Sequence, residues 1–115
     1  MPNYTYFSQK EVEGLADDLI QRLEQARQIS GVPFVITSGR RLPEANESIP
    51  GAVQDSAHLT GLAVDLRCST SPERFKMLKA LLMVGVNRIG VYDKHIHCDI
   101  DLTKDKDVIW VGLSH

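Results

Sequence analysis

The sequence predicts an α+β fold, with two main helices packed on one face of a mostly antiparallel sheet. Three observations carry that prediction. Two stretches repeat apolar residues at helical spacing, several short β-rich runs alternate with period two, and those runs mostly follow one another as hairpins rather than as strand–helix–strand units. At 115 residues the chain is expected to form one domain, residues 1–115, large enough for a core without staples.

The first helix is predicted to open at Ser8. Ser8 caps, Glu11 completes a capping box, and Phe7 and Val12 form a hydrophobic staple. Val12, Leu15, Ala16, Leu19, Leu23 and Ala26 then make one apolar stripe, and the helix is expected to end near Ser30 with Gly31 as its left-handed cap. Residues 32–37 read as a strand leading into Ser38-Gly39-Arg40-Arg41. Residues 42–55 contain Pro43, Pro50 and Gly51 among polar residues without periodicity, and a loop this long in a small domain reads as functional.

Residues 62–67 form the next strand, with Leu62, Val64 and Leu66 on one face and Ala63, Asp65 and Arg67 on the other. Ser71-Pro72-Glu73 starts the second helix, as cap, N1 proline and an acid at the positive end of the dipole. Phe75, Leu78, Leu81 and Leu82 are its expected buried side, and Gly85 ends it. Residues 88–92 and 95–101 pair about a tight turn at Asp93-Lys94. A polar loop at 103–107 precedes a final strand at 108–111.

The composition is that of an ordinary soluble chain, 43% hydrophobic and 24% charged. With 13 Lys+Arg against 15 Asp+Glu, the formal net charge is −2, which offers no basic footprint for nucleic acid and no polybasic patch for a membrane. The start Met1-Pro2-Asn3-Tyr4-Thr5-Tyr6 lacks the basic and apolar regions of a signal peptide. The expectation is therefore a chain that is cytoplasmic as synthesised, and monomeric. Cys68 and Cys98 share their strand faces with apolar residues and are expected to be buried thiols.

The candidate chemistry lies in two segments. His58 and Asp65 belong to Ser56-Ala57-His58-Leu59-Thr60-Gly61-Leu62-Ala63-Val64-Asp65, and His95-Ile96-His97-Cys98-Asp99 follows later. Together they read as a metal site built on neighbouring strands. His58, Asp65 and His97 match the three His, Asp or Glu ligands of a catalytic zinc site, which keeps a further position for water. His95 shares the strand face of His97, about 7 Å away at Cα. One of the two can bind metal while the other handles substrate or water, and Asp99 continues the face and can orient a histidine. Plainer readings stay open on the residues alone: His58 as a turn histidine, Asp65 as a surface acid, and both strand histidines facing solvent. An aspartate among Ala63, Val64 and Leu66 argues for the site, because acids are rare among strand-core residues unless paired or ligating.

The pattern Ser56-x-His58-x-x-Gly61-x-Ala63-x-Asp65 with His95-x-His97-x-Asp99 resembles the zinc D-Ala-D-Ala carboxypeptidase family. That group includes L-Ala-D-Glu endopeptidase endolysins and, more distantly, the zinc-bearing hedgehog domain. Ile36-Thr37-Ser38-Gly39-Arg40-Arg41 is similar to the family's Thr-Ser-Gly-x-Arg segment, and Arg88-Ile89-Gly90-Val91-Tyr92 precedes the second motif, so the resemblance covers most of residues 32–101. It implies a zinc metallopeptidase acting on peptidoglycan stem peptides, as a carboxypeptidase or an endopeptidase. His58, Asp65 and His97 would hold Zn(2+) on the sheet face away from the helices. Arg41, with Arg40 as the neighbouring alternative, would bind substrate or the developing oxyanion, and Ser56 would hydrogen-bond near the ligands or touch substrate, a plain turn serine being the other reading.

One position departs from the family pattern. Many members carry a carboxylate three residues before the last histidine ligand, and here that residue is Lys94, which as an ammonium cannot accept the proton of water. His95 is the expected base, with Asp93 as the other candidate. The resemblance fits a phage or prophage endolysin that reaches the wall after release, and it also fits a cytoplasmic dipeptidase or recycling enzyme. Two other functions use the same residues. One is a non-catalytic, zinc-stabilised binding module, which Lys94 motivates. The other is a non-haem iron oxygenase, whose facial triad is also two histidines and a carboxylate, but the flanking motifs point away from it.

Overall fold

A computed structural model describes residues 4–38 and 61–112. Helix α1 spans Asp17–Ser30, well after the capping signal. The capping box itself does form: Glu11 N–H donates to Ser8 Oγ at 3.1 Å, and Ser8 N–H donates to Glu11 Oε1 at 2.9 Å. Residues 9–14 make only turns, and Gly14 at φ 81° diverts the chain before a helix propagates. The helix opens instead at Ala16, which has no side-chain cap, with Asp17 and Asp18 in its first turn. Val12 and Leu15 are buried together with Leu19, Leu23 and Ala26, so the apolar stripe serves the core across the break. Gly31 closes the helix at φ 69°, in the left-handed conformation expected of it.

Helix α2 spans Ser71–Met83, and its cap is Thr70 rather than Ser71. Thr70 Oγ1 accepts from Glu73 N–H at 3.4 Å and donates to Glu73 Oε1 at 2.8 Å. The buried side runs through Met77, Ala80 and Leu81 and packs against α1. Phe75 and Leu82, expected inside, are 68% and 48% exposed. Leu81, also expected inside, is fully buried and Leu78 is partly buried against the core, so the buried face keeps these two and takes Met77 and Ala80 in place of Phe75 and Leu82.

The strands are β1 (Ile36–Ser38), β2 (Ala63–Arg67), β3 (Arg88–Val91), β4 (His95–Asp99) and β5 (Val108–Val111), in the sheet order β1-β2-β4-β3-β5. β1 with β2, β2 with β4 and β3 with β4 are antiparallel, whereas β5 joins β3 in parallel. The sheet is therefore mixed, with three of its four pairings antiparallel, and the parallel β5 is the one pairing the hairpin reading does not foresee. Both edges of β4 are taken, by β2 and β3, so the chain leaving β4 passes over β3 and pairs on its free edge, running the same way as β3.

Alternation divides the sheet cleanly. Val64, Leu66, Ile89, Ile96 and Cys98 face the helices and are fully buried with Leu19, Leu23, Met77 and Leu81. Each large side chain buried there contributes roughly 1.5–3 kcal/mol. Cys68 and Cys98 are both buried and free. Cys68 N–H bonds to the Lys94 carbonyl while Cys98 pairs with Val64, which separates the thiols by about 13 Å of ladder, beyond disulfide reach. Among the described residues no helix is long and apolar enough to cross a membrane.

Candidate active site

The face of the sheet away from the helices carries the chemistry. The β2–β4 register sets Asp65 directly opposite His97. His97 Nδ1 lies 3.0 Å from Asp65 Oδ1, and its Nε2 lies 2.8 Å from Asp99 Oδ2. The β3–β4 register sets Arg88 opposite Asp99. Arg88 Nε–H donates to Asp99 Oδ1 at 2.7 Å, and Asp101 N–H reaches the same oxygen at 3.2 Å. The second arm of Arg88 donates to the Asp105 carbonyl. A line of alternating charge, Asp65–His97–Asp99–Arg88, thus crosses three adjacent strands.

Burial gives this line its force. Asp99 is only 2% exposed. Burial alone would raise its pKa, but the bonds from His97 and Asp101 N–H and the charges of His97 and Arg88 lower it below the usual carboxylate range. Burial alone would likewise lower the pKa of His97, but its two carboxylate partners raise it above 6.5. Asp99, held ionised, can only accept, so Nε2 carries a proton. Nδ1 then points at a second acceptor, Asp65 Oδ1, and two facing lone pairs repel unless a cation lies between them. In the metal-free protein a proton shared between the two groups fills that place. The same pair of donors fits a metal ion. Two ligands at tetrahedral angles on a zinc ion stand about 3.3 Å apart, close to the 3.0 Å between Asp65 Oδ1 and His97 Nδ1.

Local backbone explains two motif residues. Gly61 has φ 77°, and a Cβ on it would fall 2.3 Å from the Gly14 carbonyl oxygen, so no other residue fits there unstrained. Its own carbonyl accepts from Ala16 N–H at 2.8 Å, which ties the start of β2 to the start of α1. In β1 the register shifts between Ile36 and Ser38, and this irregularity puts Ser38 opposite Asp65. Thr37 Oγ1 donates to the Asp65 carbonyl at 3.4 Å. β1 therefore ends, at Ser38, next to Asp65.

The family model of peptidase M15 matches residues 4–99. The chain belongs to the peptidase M15 family. The crystal structure of the Serratia marcescens L-Ala D-Glu endopeptidase ChiX has a similar fold, with a TM-score of 0.68 at 19% identity over 84% of this chain and 87% of that one. Comparison with curated proteins finds no match.

In this M15 chain the structure brings Asp65, His97 and Asp99 together. His95 lies on the same face, opposite Arg67, with its ring stacked on Tyr92. Asp93 and Lys94 are exposed at the hairpin turn, where the Asp93 carbonyl accepts from Arg74 at 3.1 Å. Ser56, His58, Arg41 and the loop at 42–55 lie outside the described residues, and among the described ones no group of three metal-ligating side chains is assembled.

Three residues of the site face escaped the sequence reading. Arg88 was legible, because counting back pairwise from a tight turn at Asp93-Lys94 sets Gly90 against His97 and Arg88 against Asp99. Tyr92 was legible by the same count as the partner of His95. Trp110 was not. It reaches the site only because β5 lies in parallel beside β3, opposite Gly90, and no local signal encodes that pairing.

Proposed function

We propose that this M15 family member is a zinc metallopeptidase that hydrolyses peptide bonds in the stem peptides of peptidoglycan, with His58, Asp65 and His97 as metal ligands. The observation that carries the proposal is the buried Asp65–His97–Asp99–Arg88 line. It presents an imidazole nitrogen and a carboxylate oxygen 3.0 Å apart, a spacing that a shared proton fills and that also suits two ligands of one metal ion. When bound, zinc supplies a Lewis acid and a water whose pKa falls to about 7.

The chain's own residues do the rest. Asp99 holds the Nε2 proton of His97, so that Nδ1 keeps its lone pair for the metal. Arg88 keeps Asp99 ionised. His95 takes a proton from the attacking water and returns it to the leaving amine, the role that Lys94 cannot fill, with Asp93 as the alternative base. Arg41 and Ser56 bind the substrate, the guanidinium meeting a carboxylate or the developing oxyanion. Endopeptidase action is favoured over carboxypeptidase action by the likeness in fold to the Serratia endopeptidase.

Purified muropeptides of defined stem sequence, incubated with the protein with added zinc or with chelator and weighed by mass spectrometry, test the proposal. Chelator-sensitive cleavage is expected, and the product masses name the bond. His58→Ala, Asp65→Ala and His97→Ala are each expected to lose zinc and activity together, and full activity with stoichiometric zinc in any one removes that residue from the ligand set. Intact muropeptides beside a fully zinc-loaded protein would refute the peptidase and leave a zinc-stabilised binding module.

A further inference from the structure

Tyr92, His95 and Trp110 form an aromatic ledge along the site face. The rings of Tyr92 and His95 lie face to face, with centroids 4.3 Å apart and planes 9° from parallel. They meet across the hairpin, where Tyr92 N–H bonds to the His95 carbonyl at 3.0 Å. Trp110 Nε1–H donates to the Tyr92 hydroxyl at 3.1 Å. The Trp110 ring lies 5.5 Å from the His97 ring and 5.3 Å from the Arg88 guanidinium.

Two glycines clear the seats of these rings. A Cβ on Gly90 would fall 2.5 Å from Trp110 Nε1, and one on Gly112 would fall 2.3 Å from Tyr92 Cε1. A half-exposed histidine on a strand ordinarily turns among rotamers. Here a stacked ring, an indole bond and two cleared backbone positions converge on one imidazole.

We propose that Tyr92 is a positioning residue for His95. Its ring fixes the His95 imidazole on the site face, two residues along β4 from His97, and Trp110 fixes Tyr92 by holding its hydroxyl. This rests on the role given to His95 above and adds the residues that hold it in place. A reactive group displaced by about 1 Å can cost on the order of 100-fold in rate.

The test uses the full zinc-loaded chain and the variants Tyr92→Leu, Tyr92→Phe, His95→Ala and the Tyr92→Leu/His95→Ala pair. The readouts are the His95 ring-proton NMR resonances, assigned by their loss in His95→Ala, together with kcat and KM on a cleaved muropeptide and the zinc stoichiometry. In the unmutated chain the Tyr92 ring current moves the His95 ring protons upfield. Tyr92→Leu is expected to erase that shift and lower kcat on the order of tenfold to a hundredfold, with KM within about twofold and zinc retained. Tyr92→Phe keeps the ring face but loses the bond from Trp110, and its kcat is expected to fall between those of Tyr92→Leu and the unmutated chain. In the pair, Tyr92→Leu adds nothing to the loss from His95→Ala, because both act through one ring.

Unshifted His95 ring protons in the unmutated chain overturn the proposal, as does a full additional loss from Tyr92→Leu in the His95→Ala background. A chain that cleaves no stem peptide refutes the proposed function instead, and the ring resonances alone then decide whether Tyr92 fixes His95.

Discussion

Asp99→Asn replaces one oxygen by an amide nitrogen in the middle of the charge line, and three bonds determine its effect. Asp99 Oδ2 faces His97 Nε2 at 2.8 Å, while Oδ1 accepts from Arg88 Nε–H at 2.7 Å and from Asp101 N–H at 3.2 Å. The asparagine oxygen can serve only one of these sides. Turned toward Arg88, it leaves its NH2 facing His97 Nε2, which must then shed its proton and accept. That moves the imidazole proton to Nδ1, the nitrogen that faces Asp65. Turned toward His97, the amide sets a donor against a guanidinium. Water relieves neither conflict, because the side chains of Asp99 and Arg88 are only 2% and 12% exposed. A hydrogen bond to a charged group is worth about 1.5–3 kcal/mol, so the metal-free variant should lose about 2 kcal/mol in urea unfolding with chelator present. Losing the partner that orients a ligating histidine costs about 10–100-fold in metal affinity, or about 1.4–2.7 kcal/mol. Competition against a chromophoric chelator measures that affinity. Asp99→Ala should cost more, about 3–5 kcal/mol, because it strands the buried Arg88 cation. An Asp99→Asn protein that binds zinc within about twofold of the unmutated chain would refute the orienting role.

The metal-free protein should be most stable between the ordinary Asp and His pKa values of 3.8 and 6.5. The raised pKa of His97 gives a contribution that is full below 6.5 and is lost as pH rises through the folded value, while the lowered pKa values of Asp99 and Asp101 give one that is full above 3.8 and is lost as pH falls through theirs. Urea midpoints across pH at fixed ionic strength check this, and a midpoint that climbs on going from mildly acidic to alkaline pH contradicts it. Gly90→Ala should push the indole off β3 at a cost of about 1–3 kcal/mol, and the emission of Trp110, the chain's single tryptophan, should shift to the red. Unchanged emission and an unchanged urea midpoint would show that the seat has slack. Gly61→Ala combines a positive φ with a contact to the Gly14 carbonyl and should cost about 1–3 kcal/mol in the same unfolding assay, whereas a midpoint equal to that of the unmutated chain would refute the close approach.

Alternation made the sheet legible. Placing Asp65, His97 and Asp99 on one face and Val64, Leu66, Ile96 and Cys98 on the other needs only the two-residue period, and the structure has that division. The α1 start was misread because a capping box is a local signal, satisfied by a single turn at Ser8 and Glu11, whereas a helix must also propagate, and Gly14 prevents that. On α2 the leucine pattern finds Leu81 and Leu78 but sets Phe75 and Leu82 inside in place of Met77 and Ala80, the flexible and small side chains that are buried there. The parallel pairing of β5 depends on which sheet edge is free once the other strands are placed, and that is a property of the whole fold. Trp110 was lost with it. The parts of the site most specific in sequence, His58 and Arg41, fall outside the described residues, so their roles rest on the motif and on family membership.

The two faces of the sheet are not independent. Slipping β4 by one residue against β2 would set Cys98 or Ile96 opposite Asp65 and turn His97 toward the helices. The penalty against that slip comes from the opposite side, where Ile96 and Cys98, fully buried beside Val64 and Leu66, would have to exchange places with His97 and Asp99. The core residues of the two strands therefore help to hold Asp65 opposite His97 from the other face of the sheet. The same holds for β3, where burial of Ile89 keeps Arg88 against Asp99 and Gly90 beneath Trp110. The Asp65–His97–Asp99–Arg88 line is ordered by the sheet itself, so little of the binding free energy is spent on ordering these four side chains. The exposed turn at Asp93-Lys94 lies at the end of the same hairpin, and a lysine there can replace an acid without disturbing the register that positions His95 and His97.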